Sequence, residues 1–427
     1  MRPRLPTVFV MEASAKASLP VIESMARAGL RVAAGSHNRI NAGFFSRHCH
    51  ERWVYPSPRD DRKGFHEWLL DFLARRPIEV FFPLGHYGAL AVAEIQDQIR
   101  RHTRLLMPDL PTFLRGYEKI PTLKAAEAAG VPIPETWYPE DHAEGVEAIL
   151  PQIRSWPVLV KPSVGAGARG IVWCHTPAEL RQGFADIRQR HGPSFVQDFV
   201  PPGGMQYKVD FLVDGQQRKL AGVVYGKTRM YPPKGGSSVL NYSAHRPDIL
   251  ELAHQMLRHL QWVGFCDFDF VVDPRDDGPK LMEINPRLPE SFNMGPSVGV
   301  DFARMIYHLA RGEPVEPVLE YPANHYLRFL VGDVLWFLRV SNRERFSTHP
   351  NWFKFFGRDM SYQLCRATDP GPLLGFVLEN FLLLFDRRSR AERLRLSSAT
   401  RPAQAADGDK AAGSPSTPPA ATDPSGH

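Results

Sequence analysis

Two runs in the C-terminal half carry the residues best suited to chemistry. They are Asp267-Phe-Asp-Phe-Val-Val-Asp273 and, after a charged turn, Lys280-Leu-Met-Glu-Ile-Asn-Pro-Arg287. Side chains alternate between the faces of a strand, so Asp267 shares a face with Asp269, and Glu283 with Asn285. The turn Pro274–Pro279 makes the two runs natural hairpin partners. Asp269, Glu283 and Asn285 then present hard oxygen donors side by side, as Mg²⁺ requires when phosphate oxygens complete its octahedron. Arg287, just past the strand, can grip a phosphoryl group or a carboxylate bidentately. The bland alternative makes these acids ordinary solvent-facing hairpin residues; three donors on one face, between runs of core residues, weigh against it.

A second constellation is Val158-Leu-Val-Lys161-Pro-Ser163-Val-Gly165-Ala-Gly167-Ala-Arg-Gly170-Ile. A strand ending in lysine leads through a loop of small residues into another strand. Such a loop can fold over phosphates and donate backbone N–H groups while the lysine supplies a point charge. A glycine-rich hairpin without function has the same look. Lys119 is a second cationic candidate, though taken singly it reads as a surface lysine. Ala221-Gly-Val-Val-Tyr-Gly-Lys227-Thr228 nearly matches a P-loop. A P-loop must open a helix, however, and the Arg-Met-Tyr-Pro-Pro that follows cannot begin one.

The elements that must position these groups fall into blocks. Thr7–Ala13, Arg31–Gly35 and Glu79–Pro83 read as strands alternating with helices at Leu19–Ala28, Phe65–Arg75 and Ala89–Arg100. This pattern predicts an α/β unit with a Rossmann-like parallel sheet over residues 1–105. No Gly-x-Gly-x-x-Gly follows the first strand, which weakens a dinucleotide role for it. Residues 106–315 mix a helical pair at Thr112–Ala129, a helix near Glu144–Ile153 and antiparallel-looking strands. Residues 314–322 read as a linker, 316–395 as a helical extension rich in aromatics and arginine, and 396–427 as a disordered tail. The chain has 427 residues, 43% hydrophobic, with a net charge of +6. No basic recognition helix accompanies that charge, so nucleic acid is not expected as a partner. The four cysteines stand far apart and read as free thiols of a cytoplasmic protein.

Taken in order, these motifs resemble the ATP-grasp superfamily, nearest the branch of carbamoyl phosphate synthase large subunits, biotin carboxylase and D-alanine–D-alanine ligase. The likeness rests on Lys119 before Val131-Pro-Ile-Pro134, the Val-Lys161-Pro strand with its glycine loop, Phe195-Val-Gln-Asp-Phe-Val200, and Glu283-Ile-Asn-Pro-Arg287. It implies an ATP-grasp fold over roughly residues 105–315, binding ATP and Mg²⁺, with Mn²⁺ as an alternative ion. By the same resemblance Lys119 and Lys161 contact phosphates, with Lys161 also near the adenine, and Ser163–Gly170 is the lid. Gln197, Asp198 and Val200 form the adenine hinge, Asp269, Glu283 and Asn285 hold the metal, and Arg287 stabilises the transferring phosphoryl group. Asp269 stands where relatives often have Glu or Gln, and Gln206 where many place a ribose-binding Glu.

The implied reaction activates a small-molecule carboxylate as an acylphosphate for attack by an amine or thiol. Arg229, in an extended segment flanked by Pro and Gly, is the candidate for holding the carboxylate or acylphosphate, with a surface arginine as the alternative. A nucleotide-binding regulatory protein without turnover is the rival function. Leu373–Phe385, followed by Arg387-Arg-Ser-Arg390, reads as a helix packed on the catalytic domain, with peripheral membrane contact as the alternative. A homodimer is also open.

Overall fold

The computed structural model describes residues 7–165, 170–233, 236–364 and 367–385. Gly167, Cys365, the basic run Arg387–Arg390 and the tail 396–427 lie outside the described residues. Met1–Glu379 form one compact unit and Asn380–His427 another.

The N-terminal sheet of the first unit contains β1 (Thr7–Val10), β2 (Arg31–Ser36), β3 (Glu51–Val54), β4 (Ile78–Phe82) and β5 (Arg104–Leu105). All pairings are parallel, in the order β3-β2-β1-β4-β5. The central β1 is apolar from Val8 to Val10 because helices cover both faces. Val8 and Val10 pack with Val21, Ile22 and Met25 on one side, while Phe9 packs with Phe65, Leu69 and Phe72 on the other. The chain runs outward from β1 to β3, then returns to place β4 on the far side of β1. In open sheets the crevice beyond such a reversal is where ligands bind, and His86 opens the helix that follows β4.

A four-stranded antiparallel sheet follows: β6 (Thr136–Trp137), β7 (Val158–Pro162), β8 (Val172–Cys174) and β9 (Ser194–Asp198), in the order β6-β9-β7-β8. Helix Pro177–His191 packs against it, its Thr176 cap accepting from the Glu179 N–H. The helical pair is Leu110–Tyr117 and Lys119–Ala129, the second ended by Gly130 at φ 72°, which suits glycine. The helix expected near Glu144–Ile153 is only Val146–Ile149, continued by a 3₁₀ turn over Leu150–Gln152. Pro151 has no N–H to extend a regular helix.

The largest sheet has seven strands: β10 (Gln206–Val213), β11 (Lys219–Tyr231), β12 (Ser237–Ser243), β13 (Gly264–Asp273), β14 (Gly278–Asn285), β15 (Tyr326–Arg328) and β16 (Met360–Tyr362). Their order is β14-β13-β10-β11-β12-β15-β16. The near-match to a P-loop lies within strand β11, so no helix follows it. The sheet draws β15 and β16 from beyond residue 315. The proline-rich stretch before them is fastened to β11: Val318 N–H donates to the Leu220 carbonyl, and Tyr321 Oη accepts from Val224 N–H while donating to the Ala244 carbonyl.

Arg229 requires a correction. Ladder pairing runs Lys227↔Asn241 and then Arg229↔Leu240, so Thr228 is an extra residue in β11. A bulge of this kind reverses the alternation of side chains. It takes Arg229 off the face of Lys227 and buries it against helix Leu330–Arg339. There the guanidinium lies over the Trp336 ring and 2.9 Å from Asp333 Oδ1, at ion-pair distance without the alignment of a hydrogen bond. Arg328 reaches the other Asp333 oxygen at 3.1 Å. Arg229 is only 2% exposed and is not available to hold a substrate; it fastens the C-terminal extension to the sheet. Helix Gly371–Phe385 likewise packs Leu373 and Phe376 near Leu19, Ala42 and Phe329, and Glu379 accepts from Asn38 Nδ2. Among the described residues no helix is long and apolar enough to cross a membrane.

Removing one partner of a buried ion cluster leaves uncompensated charge. Asp333→Ala, which strands two guanidinium groups, is expected to lower stability by about 3–5 kcal/mol, read as a shift in the urea unfolding midpoint.

Candidate active site

The hairpin read from the sequence forms as a ladder in which Asp269 pairs with Glu283 and Asp267 with Asn285. The neighbouring strand adds Lys208 opposite Asp269 and Asp210 opposite Asp267. Lys208 Nζ lies 2.7 Å from Asp267 Oδ2 and 2.8 Å from Asp269 Oδ2. Lys227 Nζ comes from β11 to 2.6 Å from Asp269 Oδ1, and Asn285 Nδ2 donates to Asp269 Oδ2 at 3.1 Å. Both oxygens of Asp269 are therefore engaged. Burial favours its neutral form, but Lys208 and Lys227 outweigh that effect and hold it well below the usual carboxylate range.

The second row behaves differently. Burial raises Asp267 and, with the charge of Asp267 added, raises Asp210 as well. Asp210 Oδ1 accepts from Tyr225 Oη, which also meets Ser291 Oγ at 2.7 Å. Asp210 Oδ2 and Asp267 Oδ1 have no other partner, and a proton held between the two carboxyls satisfies both.

Nearer the surface the groups are freer. Glu283 is 36% exposed at its side chain, and its Oε2 is 3.2 Å from Lys119 Nζ. Lys119 Nζ also donates to the Gly165 carbonyl at 2.7 Å, tying the start of its helix to the glycine-rich loop. Ser163 reinforces the tie: its carbonyl accepts from Lys119 N–H and its Oγ from Ile120 N–H. Arg287 Nη2 donates to Asn285 Oδ1 at 3.1 Å, while its buried Nε has no partner. Lys119, Gly165, Glu283, Asn285 and Arg287 line one polar pocket, closed on the far side by His86 and Tyr117. His86 Nε2 meets Tyr117 Oη at 2.7 Å. Burial, then Arg287 and Lys119, bring this imidazole down to about 4, so it is neutral at pH 7.

Lys161 ends β7 with its Nζ 2.6 Å from Gln197 Oε1, and Gln197 Nε2 continues to Thr136 Oγ1 at 2.9 Å. Burial lowers the Lys161 ammonium to about 8, with Glu283 opposing and Lys119 assisting. The Asp198 carboxylate is taken by Arg275 at 2.7 Å and Ser155 at 3.1 Å. With both of these side chains engaged, the Gln197–Val200 segment offers a ligand chiefly its backbone. Gln206 opens β10 opposite Val271. Gly170 lies at φ 76°, beyond the undescribed part of the loop.

Asp269, Glu283, Asn285, Arg287 and Lys119 are thus brought together, Lys161 and Gln197 form a buried pair on β7 and β9, and Arg229 is excluded. Sequence reasoning passed over Lys208, Asp210, Lys227 and His86. The alternation Lys208-x-Asp210, matching Asp267-x-Asp269, was the available signal for the first two. Among the described residues no three His, Cys, Asp or Glu side chains form a metal cluster by themselves. Asp269, Glu283 and Asn285 nevertheless bring together oxygens of the hard type that Mg²⁺ prefers.

A carboxyl raised by burial binds its proton more tightly in the folded state. Asp210 therefore contributes stability that is fully present below about pH 4 and is lost as pH rises towards its folded value. Asp210→Asn, which keeps a donor for Asp267, is expected to flatten that decline when urea midpoints are compared from pH 4 upward.

The ATP-grasp domain family matches residues 117–291. The chain is 25% identical over 261 residues to the C-terminal section of the carbamoyl phosphate synthase large chain of Methanopyrus kandleri, covering 57% of this chain and 46% of that one. It is 30% identical over 115 residues to the D-aspartate ligase of Enterococcus faecium, covering 26% of this chain and 27% of that one. The chain thus spans less than half the length of these curated relatives. Among solved structures, biotin carboxylase from Campylobacter jejuni shares the fold with a TM-score of 0.62 at 13% identity, over 75% of this chain and 74% of that one. N5-carboxyaminoimidazole synthetase from Staphylococcus aureus gives 0.59 at 11% identity, over 75% and 80%. The ordered motifs and the fold agree with that match, so residues 117–291 are similar to the ATP-grasp domain family.

Proposed function

We propose that this protein is an ATP- and Mg²⁺-dependent ligase that activates a carboxylate as an acylphosphate and passes the acyl group to an amine or thiol. The observation that carries this reading is the convergence of Glu283, Asn285, Arg287 and Lys119 on one pocket beside Asp269. Asp269, Glu283 and Asn285 would hold Mg²⁺, whose charge offsets that developing on phosphoryl oxygens. Lys119 and Arg287 add positive charge at the same place. Lys161 would face the phosphates, with Gln197 fixing its ammonium, and the backbone of Gln197–Val200 would face the base.

In the first step a carboxylate oxygen of the substrate bonds to the γ-phosphorus, and the bond to the β-phosphate oxygen breaks to release ADP. The amine or thiol then bonds to the acyl carbon, phosphate leaves with the carboxylate oxygen, and the nucleophile's proton passes to the departing phosphate. His86, neutral at the pocket wall, can accept a hydrogen bond there but is a weak base.

A second reading, nucleotide binding without turnover, draws on the engagement of both Asp269 oxygens by lysines. Glu283→Ala separates the two. For a ligase, carboxylate-dependent ADP release screened against panels of carboxylates and amines falls at least 100-fold in the variant, with an unchanged melting temperature. Unchanged ADP release would sink the ligase reading.

The low Lys161 value gives a further expectation. Above about pH 8 the free protein loses this ammonium, so nucleotide binding must take up a proton. Affinity should weaken by up to about tenfold per pH unit, and Lys161→Met should bind more weakly with a flat profile in calorimetric titrations at pH 7–9.5.

A further inference from the structure

Helix Leu330–Arg339 has no polar side. Asp333, Trp336 and Val340 face inward, while Val334, Leu335 and Leu338 form an outward stripe, with Leu338 66% exposed. A helix that is apolar all round is ordinarily buried all round; the outer face of this one is open. The apolar surface continues beyond it. Phe346 and Phe353, each more than half exposed, meet each other and Phe337 with ring centroids 6.0–6.4 Å apart. Phe356 is 91% exposed. These side chains do not belong to the ligase pocket, and apolar clusters of this kind mark interaction surfaces.

The charge around the patch selects its occupant. Between Val334 and Asp359 the chain carries Arg339, Arg343, Arg345, Lys354 and Arg358 against Glu344 and Asp359, the latter paired with Lys354. Arg339, Arg343 and Arg358 are exposed. Phe and Leu side chains interleaved with arginines match the boundary of an anionic bilayer, where rings enter the acyl region and guanidinium groups meet phosphates. A second copy of the chain fits poorly, because a two-fold contact sets the same basic patch against itself.

We propose that residues 334–358 dock this protein on an anionic lipid surface, through Leu338, Phe346, Phe353 and Phe356 with their surrounding arginines. This surface differs from helix Gly371–Phe385, for which the sequence leaves membrane contact as the alternative to packing; its Leu373 and Phe376 pack inward, while Leu374 and Val377 are exposed.

Flotation of the full-length protein with phosphatidylcholine vesicles, alone or mixed with phosphatidylglycerol, tests this. The wild-type chain is expected to float with the mixed vesicles and less with phosphatidylcholine alone. Leu338→Gln/Phe356→Ser is expected to cut partitioning at least tenfold, and Arg358→Glu to weaken it on the anionic vesicles. The same melting temperature and ADP release should be retained. The single variant Phe356→Ser, at a side chain with almost no packing to lose, repeats the test should the double variant fold poorly. Absence of wild-type flotation, or flotation unaffected by these variants, would overturn the proposal. So would a wild-type dimer in sedimentation that Phe356→Ser dissociates, which would make the patch a contact between copies.

Discussion

Asp210, Asp267 and Asp269 lie on adjacent strands in the interior of the seven-stranded sheet, and such a group cannot be ionised throughout without a cation among them. Lys208 is that cation. Its ammonium bridges Asp267 and Asp269, so Asp269 stays charged while the Asp210–Asp267 pair retains a proton. Burying these charges in isolation would cost several kcal/mol each; the lysine and the shared proton let β10, β13 and β14 keep an ordered ladder there. Glu283, Asn285 and Arg287 inherit their positions from that ladder. The pocket is set by a charge-balanced interior.

Much of the pocket was legible in the sequence because hairpin geometry is local. Alternation and a short turn place Asp269 beside Glu283, and β13–β14 adopts that register. Gly130 likewise marks the end of the helix beginning at Lys119. What was not legible depends on partners distant in sequence. Lys208 and Asp269 are 61 residues apart, and nothing near either residue announces the other. The side on which Arg229 lies is set by the bulge at Thr228, which depends on its pairing with β12. His86 joins the pocket only through the order of the parallel sheet, in which β4 returns beside β1.

The C-terminal extension depends on a second buried ion cluster. Asp333 between Arg229 and Arg328 fixes helix Leu330–Arg339 on β11 and β12, and the same anchoring holds Val334, Leu335 and Leu338 outward. Strand β11 thus serves two ends of the molecule. Lys227 joins the carboxylates of the pocket, and two residues later, beyond the bulge, Arg229 fastens the apolar extension to the other face.

The central claim is that the pocket transfers phosphate to a carboxylate, and isotope transfer tests it most directly. With a carboxylate substrate labelled with ¹⁸O in its carboxyl group, an acylphosphate route moves one ¹⁸O into the released phosphate, detectable by mass spectrometry or by ³¹P NMR. Labelled phosphate is expected in step with ligated product. Ligation in which the released phosphate carries no label would contradict it.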